Sequence, residues 1–200
     1  KELHGGTYSV VPDQIEAGTF MLAAVATRGD ITLKKCITKH LDPLTAKIEE
    51  MGAHVEEISG DTLRVWCDEK PKKVNIKTSP YPGFPTDLQA QMGVVLSMAE
   101  GTSIINESIW ESRFQYTAEL NKMGANISAQ GRVAVFEGVD ELFGCSVEAS
   151  DLRAGAALII AGLCANGETK ISNVEYIDRG YENIEEKFKN LGAKIKRIDE

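Results

Sequence analysis

One carboxylate at the end of a proline-built loop is the first feature of this sequence that points to chemistry. Residues 79–88 hold three of the chain's six prolines and end in Thr86, Asp87 and a leucine. Proline fixes φ, so the loop is stiff, and Thr-Asp before an apolar run is typical of a helix start. A rigid loop that brings Asp87 to a helix N-terminus suits a general base. The alternative is that Thr86 or Asp87 only caps the helix.

Two arginines and a second aspartate form another candidate site. Arg153 follows Asp151 in the first turn of a mostly apolar helix, where the helix dipole disfavours a cation and a compensating anion is needed. With Arg179 it could hold an anionic ligand through bidentate hydrogen bonds. The alternatives are a salt bridge from Arg153 to Asp151 or Glu182, a capping role for Asp178, and a solvated Arg179.

Composition excludes several other kinds of site. The four cysteines form no C-x-x-C pair and the three histidines are isolated, so we expect no metal, no cofactor and no nucleophilic triad. A net charge of −8 disfavours a nucleic-acid surface but allows a small anionic ligand. With 42 % hydrophobic residues and no apolar run of membrane-span length, the chain reads as a cytoplasmic globular protein without a membrane partner. It begins with Lys1, so we expect a processed product or a piece of a longer chain.

An internal repeat organises the elements that must position these residues. A Met-Gly-Ala or Leu-Gly-Ala triplet recurs with its glycine at positions 52, 124 and 192. An apolar triad with the spacing of one helix face precedes each triplet, and glycine is a helix C-cap signal. These patterns predict amphipathic helices over 43–51, 113–123 and 181–191. The triads are Leu44, Ile48 and Met51; Tyr116, Leu120 and Met123; and Ile184, Phe188 and Leu191.

A second helix precedes each amphipathic one, and strands surround both. The segments 14–27, 87–100 and 151–166 are apolar nearly all round, which indicates buried helices. Alternating or β-branched segments predict the strands. These are 8–11, 30–36, 54–58 and 63–67 in the first copy, 74–78, 102–108, 126–130 and 133–137 in the second, and 146–149, 168–175 and 194–198 in the third.

The predicted fold class is therefore α/β, an inside-out barrel of three repeated strand-helix-strand-helix-strand-strand units. The units span approximately 7–70, 71–142 and 143–200, and their buried helices would meet inside with the sheets outside. The third unit lacks its last strand, which we expect to be supplied by sequence outside this chain. Residues present in one unit only are the better functional candidates, because residues shared by all three serve the fold.

Several motifs together resemble the UDP-N-acetylglucosamine enolpyruvyl transferase family, in register over essentially the whole chain. They are Pro-Asp-Gln-Ile-Glu-Ala-Gly-Thr at 12–19, Phe-Pro-Thr-Asp-Leu-Gln-Ala-Gln at 84–91, Glu-Ser-Arg-Phe at 111–114, Asp-Leu-Arg-Ala at 151–154 and Ile-Asp-Arg-Gly-Tyr-Glu at 177–182.

The resemblance implies a two-domain enzyme with its active site between two inside-out α/β barrels. Such an enzyme transfers the enolpyruvyl group of phosphoenolpyruvate to the 3′-hydroxyl of UDP-N-acetylglucosamine and releases phosphate, the first committed step of bacterial peptidoglycan synthesis. It thereby serves cell wall biogenesis, cell shape and cell division. This chain corresponds to about the second half. The other domain, with its catalytic cysteine, and an N-terminal segment would be its partners, and alone it is predicted to be inactive.

The same resemblance assigns roles residue by residue. It implies that Asp87 contacts the sugar 3′-hydroxyl and accepts its proton, and that Ile109 contacts the nucleotide sugar through its backbone. Arg153 and Arg179 would hold phosphoenolpyruvate, and Asp151 would lie close to the reacting centre. None of the four cysteines matches the family's catalytic one.

One position departs from the family, and two other functions stay open. Gln14 stands where many relatives carry arginine, so no charge pairing across the cleft is assigned to it. The general acid is not identifiable in this chain. The first alternative function is an enolpyruvyl-shikimate-phosphate synthase-like enzyme. The second is a non-catalytic threefold-barrel domain that binds other proteins and responds to neither substrate.

Overall fold

The computed structural model describes residues 2–198, which fold as three consecutive units with a recurring order of elements. Unit one contains α1 (Gln14–Thr27), β1 (Asp30–Lys34), a 3-10 turn (Thr38–Leu41), α2 (Asp42–Glu50), β2 (His54–Ser59) and β3 (Thr62–Trp66). Unit two contains β4 (Ile76–Lys77), a 3-10 turn (Thr86–Leu88), α3 (Gln89–Met98), β5 (Thr102–Asn106), α4 (Tyr116–Lys122), β6 (Asn126–Gln130) and β7 (Val133–Glu137). Unit three contains β8 (Ser146–Glu148), α5 (Leu152–Cys164), β9 (Lys170–Ser172), α6 (Glu175–Asp178) and α7 (Ile184–Asn190).

The three apolar helices α1, α3 and α5 pack against one another at the centre of the molecule. Met21, Val94 and Leu158, one from each helix, are all completely buried. The strands β3, β5 and β7 are buried on one side only, as in β5, where exposed and buried residues alternate. A helix that is apolar all round must be covered on every side, whereas a sheet can face water on one side. The prediction of helices inside and sheets outside agrees with this burial.

Glycines within the buried helices permit this close packing. A Cβ added to Gly18 would lie 2.5 Å from the Leu88 Cδ1 atom, and one added to Gly93 would lie 2.6 Å from the Tyr116 hydroxyl. Gly155 of α5 leaves equally little space for a side chain. Protein interiors are packed to crystal-like density, so there is no slack for an extra methyl group. Each unit thus uses a helical glycine to let another element approach.

The amphipathic helices end in the same way in all three units. Gly52, Gly124 and Gly192 adopt φ values of +88°, +95° and +98°, the left-handed conformation that glycine adopts without strain. In each case the amide of the following alanine donates to the carbonyl five residues earlier, over 3.0–3.2 Å. The repeat found in the sequence is therefore a structural repeat.

The three sheets differ in how complete they are. Unit one has the antiparallel order β1-β3-β2, whereas unit two has the order β4-β5-β7-β6 with β4 parallel to β5. Unit three, within residues 2–198, has the parallel pair β8-β9 alone. Over the described residues, unit two thus carries the full set of strands, unit one shows no opening strand, and unit three shows no closing hairpin.

Two predicted strands are wrong for this reason. Residues 8–11 form no strand, and Tyr8 and Val10 are 81 % and 89 % exposed. Residues 194–198 likewise form no strand. A strand needs a neighbouring backbone to satisfy its amides. Within the described part of the chain, β1 pairs only with β3, and β9 pairs only with β8.

Other predicted boundaries require smaller corrections. The strand predicted over 168–175 is confined to β9, because Glu175 begins the unpredicted helix α6, and the strand predicted over 74–78 is reduced to β4. Helices α4 and α7 begin three residues later than predicted, at Tyr116 and Ile184. The helix predicted over 87–100 opens as a 3-10 turn and ends at Met98. The predictions for α1, β6 and β7 are confirmed at both ends.

One member of the apolar triads is not buried. Met51 and Met123 are 1 % and 0 % exposed, but Leu191 is 53 % exposed. The chain of the following unit crosses over each methionine, where Lys72 donates its amide to the Met51 carbonyl and Phe143 donates to the Met123 carbonyl, over 2.9 and 2.7 Å. No following unit crosses Leu191 within residues 2–198.

Candidate active site

The proline-built loop of unit two is held by its own backbone and by one aromatic anchor. The Ser79 amide donates to the Phe84 carbonyl over 2.9 Å, and the Gly83 amide donates to the Pro80 carbonyl over 2.8 Å. The Phe84 side chain is buried, with 5 % exposure. These contacts fix both ends of the loop, so the residues that follow it enter α3 in a defined direction.

Asp87 points its carboxylate at two guanidinium groups. Arg113 Nη2 donates to Asp87 Oδ1 over 3.0 Å, and Arg153 Nη2 donates to Asp87 Oδ2 over 2.9 Å. The Asp87 side chain is 38 % exposed, against 21 % for Arg113 and 16 % for Arg153. The carboxylate is thus accessible from solvent, while the two cations beneath it are largely covered.

The interpretation of Asp87 as a helix cap is therefore wrong. Helix α3 begins without a side-chain capping bond, and the preceding 3-10 turn supplies the Thr86 carbonyl to the Gln89 amide instead. Asp13 and Asp151 are true caps. Asp13 Oδ1 accepts the Ile15 amide at 2.7 Å, and Asp151 Oδ1 accepts the Arg153 and Ala154 amides in the first turn of α5 at 2.7 and 3.0 Å.

Arg153 is paired, but with neither of the partners considered from the sequence. Its anion is Asp87 of unit two, not Asp151 or Glu182. Its Nη1 atom also lies 3.5 Å from the Tyr181 hydroxyl. Burial works against its charge, but Tyr181 and Asp87 outweigh burial and hold the pKa of the guanidinium above its ordinary value.

A buried polar triangle supports Arg153 from below. The Tyr181 hydroxyl lies 2.8 Å from the Thr19 hydroxyl and accepts a hydrogen bond from Gln91 Nε2 at 3.2 Å. Gln91 Nε2 lies 3.1 Å from Thr19 as well. Thr19 comes from α1, Gln91 from α3 and Tyr181 from unit three, so each of the three units contributes one residue to the triangle. The triangle connects the site to the centre of the repeat.

The structure does not bring Arg179 into direct contact with Arg153. Arg179 is exposed and lines a surface cavity of about 660 Å³ together with Tyr181, so the two arginines flank the same tyrosine. Asp178 does not act as a cap. It accepts two hydrogen bonds from Arg197, at 2.7 and 2.9 Å, and these bonds hold the pKa of its carboxyl below the ordinary value.

Ile109 lies on the turn that follows β5, next to a residue that the sequence reasoning missed. Its amide donates to Glu107 Oε1 over 2.8 Å, and its side chain is partly exposed. Glu107 is completely buried. A signal was present, because Ser103 and Ile105 are the inward residues of β5 and Glu107 continues that phase. A charged residue at an inward strand position requires an explanation.

The arrangement can do two things chemically. An accessible carboxylate within hydrogen-bond reach of a substrate hydroxyl can accept its proton. Guanidinium groups also bind carboxylates and phosphates through paired hydrogen bonds. Among residues 2–198, no group of three or more His, Cys, Asp or Glu side chains is placed to hold a metal ion. No helix in that range is long and apolar enough to cross a bilayer.

Comparisons with known proteins show which proteins the chain is similar to. The family model of EPSP synthase (3-phosphoshikimate 1-carboxyvinyltransferase) matches residues 1–188. UDP-N-acetylglucosamine 1-carboxyvinyltransferase of Clostridium botulinum is 58 % identical over 99 % of this chain and 47 % of its own length. The protein of the same name from Desulfofundulus thermocisternus is 56 % identical over 95 % of this chain and 78 % of its own length.

A solved structure gives the same result. The enolpyruvyl transferase NikO from Streptomyces tendae matches 94 % of this chain and 44 % of its own, with a TM-score of 0.84 and 28 % identity. The chain spans about half the length of most of the curated relatives it matches. The sequence and the three-dimensional arrangement therefore point to the same group of proteins.

Proposed function

The chain belongs to the EPSP synthase (3-phosphoshikimate 1-carboxyvinyltransferase) family, and from that premise we propose that it forms about half of a carboxyvinyl transferase. The proposed enzyme moves the enolpyruvyl group of phosphoenolpyruvate to the 3′-hydroxyl of UDP-N-acetylglucosamine and releases phosphate. The observation that carries this proposal is the near-complete match of the chain to proteins named UDP-N-acetylglucosamine 1-carboxyvinyltransferase.

Asp87 is proposed to take the proton of the 3′-hydroxyl. An alcohol is a poor nucleophile, so a positioned base that removes its proton during attack contributes about 10²–10⁴-fold to the rate. The pairing of Asp87 with Arg113 and Arg153 supports this role, because the two contacts fix the direction of the carboxylate while its side chain stays 38 % exposed.

The remaining residues are proposed to hold the two substrates. Ile109 contacts the nucleotide sugar through its backbone, and Arg153 and Arg179 bind the carboxylate and phosphate of phosphoenolpyruvate. Asp151 lies close to the reacting centre. Its hydrogen bonds to the Arg153 and Ala154 amides support this placement, because they fix the helix turn that carries Arg153.

The partners of the chain are proposed to be the rest of the same protein. A second domain would close over the substrates and exclude water, and it would supply the catalytic cysteine and the general acid. A further segment would complete the sheet of unit three, which has the strands β8 and β9 within residues 2–198. The whole protein would act in the cytoplasm at the first committed step of peptidoglycan synthesis, and so in cell wall biogenesis, cell shape and cell division.

The test is phosphate release by the full-length protein with phosphoenolpyruvate and one of two acceptors. We expect release with UDP-N-acetylglucosamine and none with shikimate 3-phosphate, the acceptor of the sister enzymes. Residues 1–200 alone are expected to release none with either acceptor, because half of the site is missing. Release with shikimate 3-phosphate would reassign the substrate, and turnover by residues 1–200 alone would contradict the half-site model.

A further inference from the structure

Glu107 is a completely buried carboxylate that has no role in the proposed reaction so far. It directly follows β5 and points into the protein. Its two oxygens accept hydrogen bonds from five donors, all of them neutral. The donors are Thr78 Oγ1 at 2.8 Å, Thr86 Oγ1 at 2.9 Å, Gln89 Nε2 at 3.4 Å, the Ile109 amide at 2.8 Å and the Trp110 amide at 3.1 Å.

A buried charge of this kind is costly unless its hydrogen bonds are well formed. Removing a carboxylate from water carries a large desolvation penalty, which charge-assisted hydrogen bonds must offset. If filling space were the only requirement at position 107, an apolar side chain of similar volume would serve at lower cost. The carboxylate differs from such a side chain in being able to orient five donors at once.

The donors identify what the carboxylate orients. Thr78 and Thr86 stand on either side of the proline-built loop, and Thr86 directly precedes Asp87. The Ser108 amide also donates to the Thr78 hydroxyl over 2.8 Å, which adds a second hydrogen bond between the turn after β5 and the start of the loop. On its other side the same carboxylate holds the Ile109 amide. One side chain thus holds the residue before Asp87 and the amide of Ile109, and Asp87 and Ile109 are the residues assigned to the nucleotide sugar. It makes no hydrogen bond to Arg153 or Arg179.

We propose that Glu107 is a positioning residue for the sugar-nucleotide side of the site. By tying the loop 79–86 to the turn 108–110, it sets the location of the Asp87 carboxylate relative to the Ile109 backbone. The inference rests on the proposed function, because it assumes that both groups bind the same substrate. It predicts an effect on one substrate and not on the other.

The first experiment is Glu107→Gln in the full-length protein, measured by steady-state kinetics with both substrates. We expect the KM for UDP-N-acetylglucosamine to rise about tenfold or more and kcat to fall, since two amides and two hydroxyls lose a charged acceptor. The KM for phosphoenolpyruvate should stay within about twofold. The variant is expected to fold. Gln89 Oε1 is a buried acceptor that has no hydrogen-bond partner, and it can accept a hydrogen bond from the new side-chain amide.

The matched controls separate positioning from general destabilisation. Glu137→Gln alters an exposed carboxylate on the neighbouring strand β7, which is hydrogen-bonded to Asn126, and it should leave both KM values unchanged. Thr86→Val removes one donor to Glu107 at nearly constant volume and should raise the sugar-nucleotide KM, whereas Thr86→Ser keeps the hydroxyl and should restore it. This second pair decides the question if Glu107→Gln does not yield folded protein.

The outcomes are distinct. A rise confined to the sugar-nucleotide KM in Glu107→Gln and in Thr86→Val, and absent from Thr86→Ser, supports the role. An active wild-type protein whose Glu107→Gln variant keeps its sugar-nucleotide KM, or loses affinity equally for both substrates, overturns the role and leaves the proposed function standing. A full-length wild-type protein that turns over neither acceptor overturns the proposed function and this role together.

Discussion

The three buried helices begin with the same residue type and use it differently. In units one and three an aspartate caps the helix, with Asp13 bound to the second residue of α1 and Asp151 bound to the first turn of α5. In unit two the loop of prolines and a 3-10 turn precede α3, and Asp87 faces two arginines instead of its own helix. Because the start of α3 is satisfied by backbone, its carboxylate is free to contact side chains of other elements.

The largest effect expected from this comparison belongs to Asp87→Asn in the full-length protein. The amide cannot accept the hydroxyl proton, so kcat should fall by about 10²–10⁴-fold while most of the affinity for UDP-N-acetylglucosamine remains. Single-turnover kinetics and equilibrium binding would measure the two quantities separately. An unchanged kcat would remove Asp87 from the role of base and with it the functional half of the comparison.

A second prediction concerns what the units share. Gly93→Ala places a methyl group against the buried Tyr116 hydroxyl, and overpacking of this kind costs about 1–3 kcal/mol. For a chain of this size the melting temperature should fall by about 2–4 °C per kcal/mol. Gly60→Ala is the control, since an added Cβ there meets no atom within 4 Å. Equal melting temperatures for the two variants would show that the helix packing can yield at this point.

Substitution of Asp13, the cap in unit one, should lower stability and leave turnover unchanged, the reverse of the result expected for Asp87. Asp13→Ala should destabilise the protein by about 1 kcal/mol through the lost bond to the Ile15 amide, and Asp13→Asn should retain most of the stability because asparagine caps equally well. Chemical denaturation measures both. In the full-length protein kcat should be unchanged, so a large loss of turnover in Asp13→Ala would break the contrast between cap and base.

The smallest effect is expected at the end of unit three, where Arg197 bridges Asp178 and Glu185. Its hydrogen bonds lower the pKa of both carboxyls. The stabilisation of the folded protein by these two carboxylates is therefore fully present above their ordinary pKa values near 4, and it is lost as the pH falls through the lowered pKa values. Because the groups are partly exposed, Arg197→Gln should cost only about 0.2–1 kcal/mol at pH 7.

The free energy of unfolding, measured between pH 7 and pH 2, checks this prediction. The difference in this free energy between Arg197→Gln and wild type should approach zero at pH 2. Arg132→Gln removes the exposed pair with Glu111 and serves as the matched control for a single surface pair. A difference that persists unchanged at pH 2 would assign the effect of Arg197 to packing and not to charge.

The sequence was sufficient for features that depend on local spacing. The ends of α1 follow from an apolar segment between Asp13 and a glycine, and the three glycine caps follow from their recurring triplets. The family resemblance covered most of the residues that surround Asp87. The capping and spacing signals lie within one turn or one hairpin, so they need no knowledge of distant neighbours, whereas the resemblance is carried by motifs along the whole chain.

The features that could not be predicted from the sequence depend on contacts between residues that are distant in sequence. Among residues 2–198, the segment 8–11 has the alternation of a strand but no neighbour to pair with, and Leu191 has the phase of a buried residue but is 53 % exposed. The pairing of Asp87 with Arg113 and Arg153 joins residues far apart in the chain. Glu107 was missed because a single glutamate after a strand looks like a surface residue until its inward phase is considered.

The unequal sheets also bear on how the chain behaves when it is handled alone. β1 and β9 each have an edge without a partner within residues 2–198, and unpaired strand edges act as templates for another chain. The exposed apolar side chains of Leu3, Tyr8 and Val10 lie in the segment before α1. Light scattering of residues 1–200 purified alone should therefore show self-association that grows with concentration. Peptides that pair with the edges of β1 and β9 should suppress this self-association.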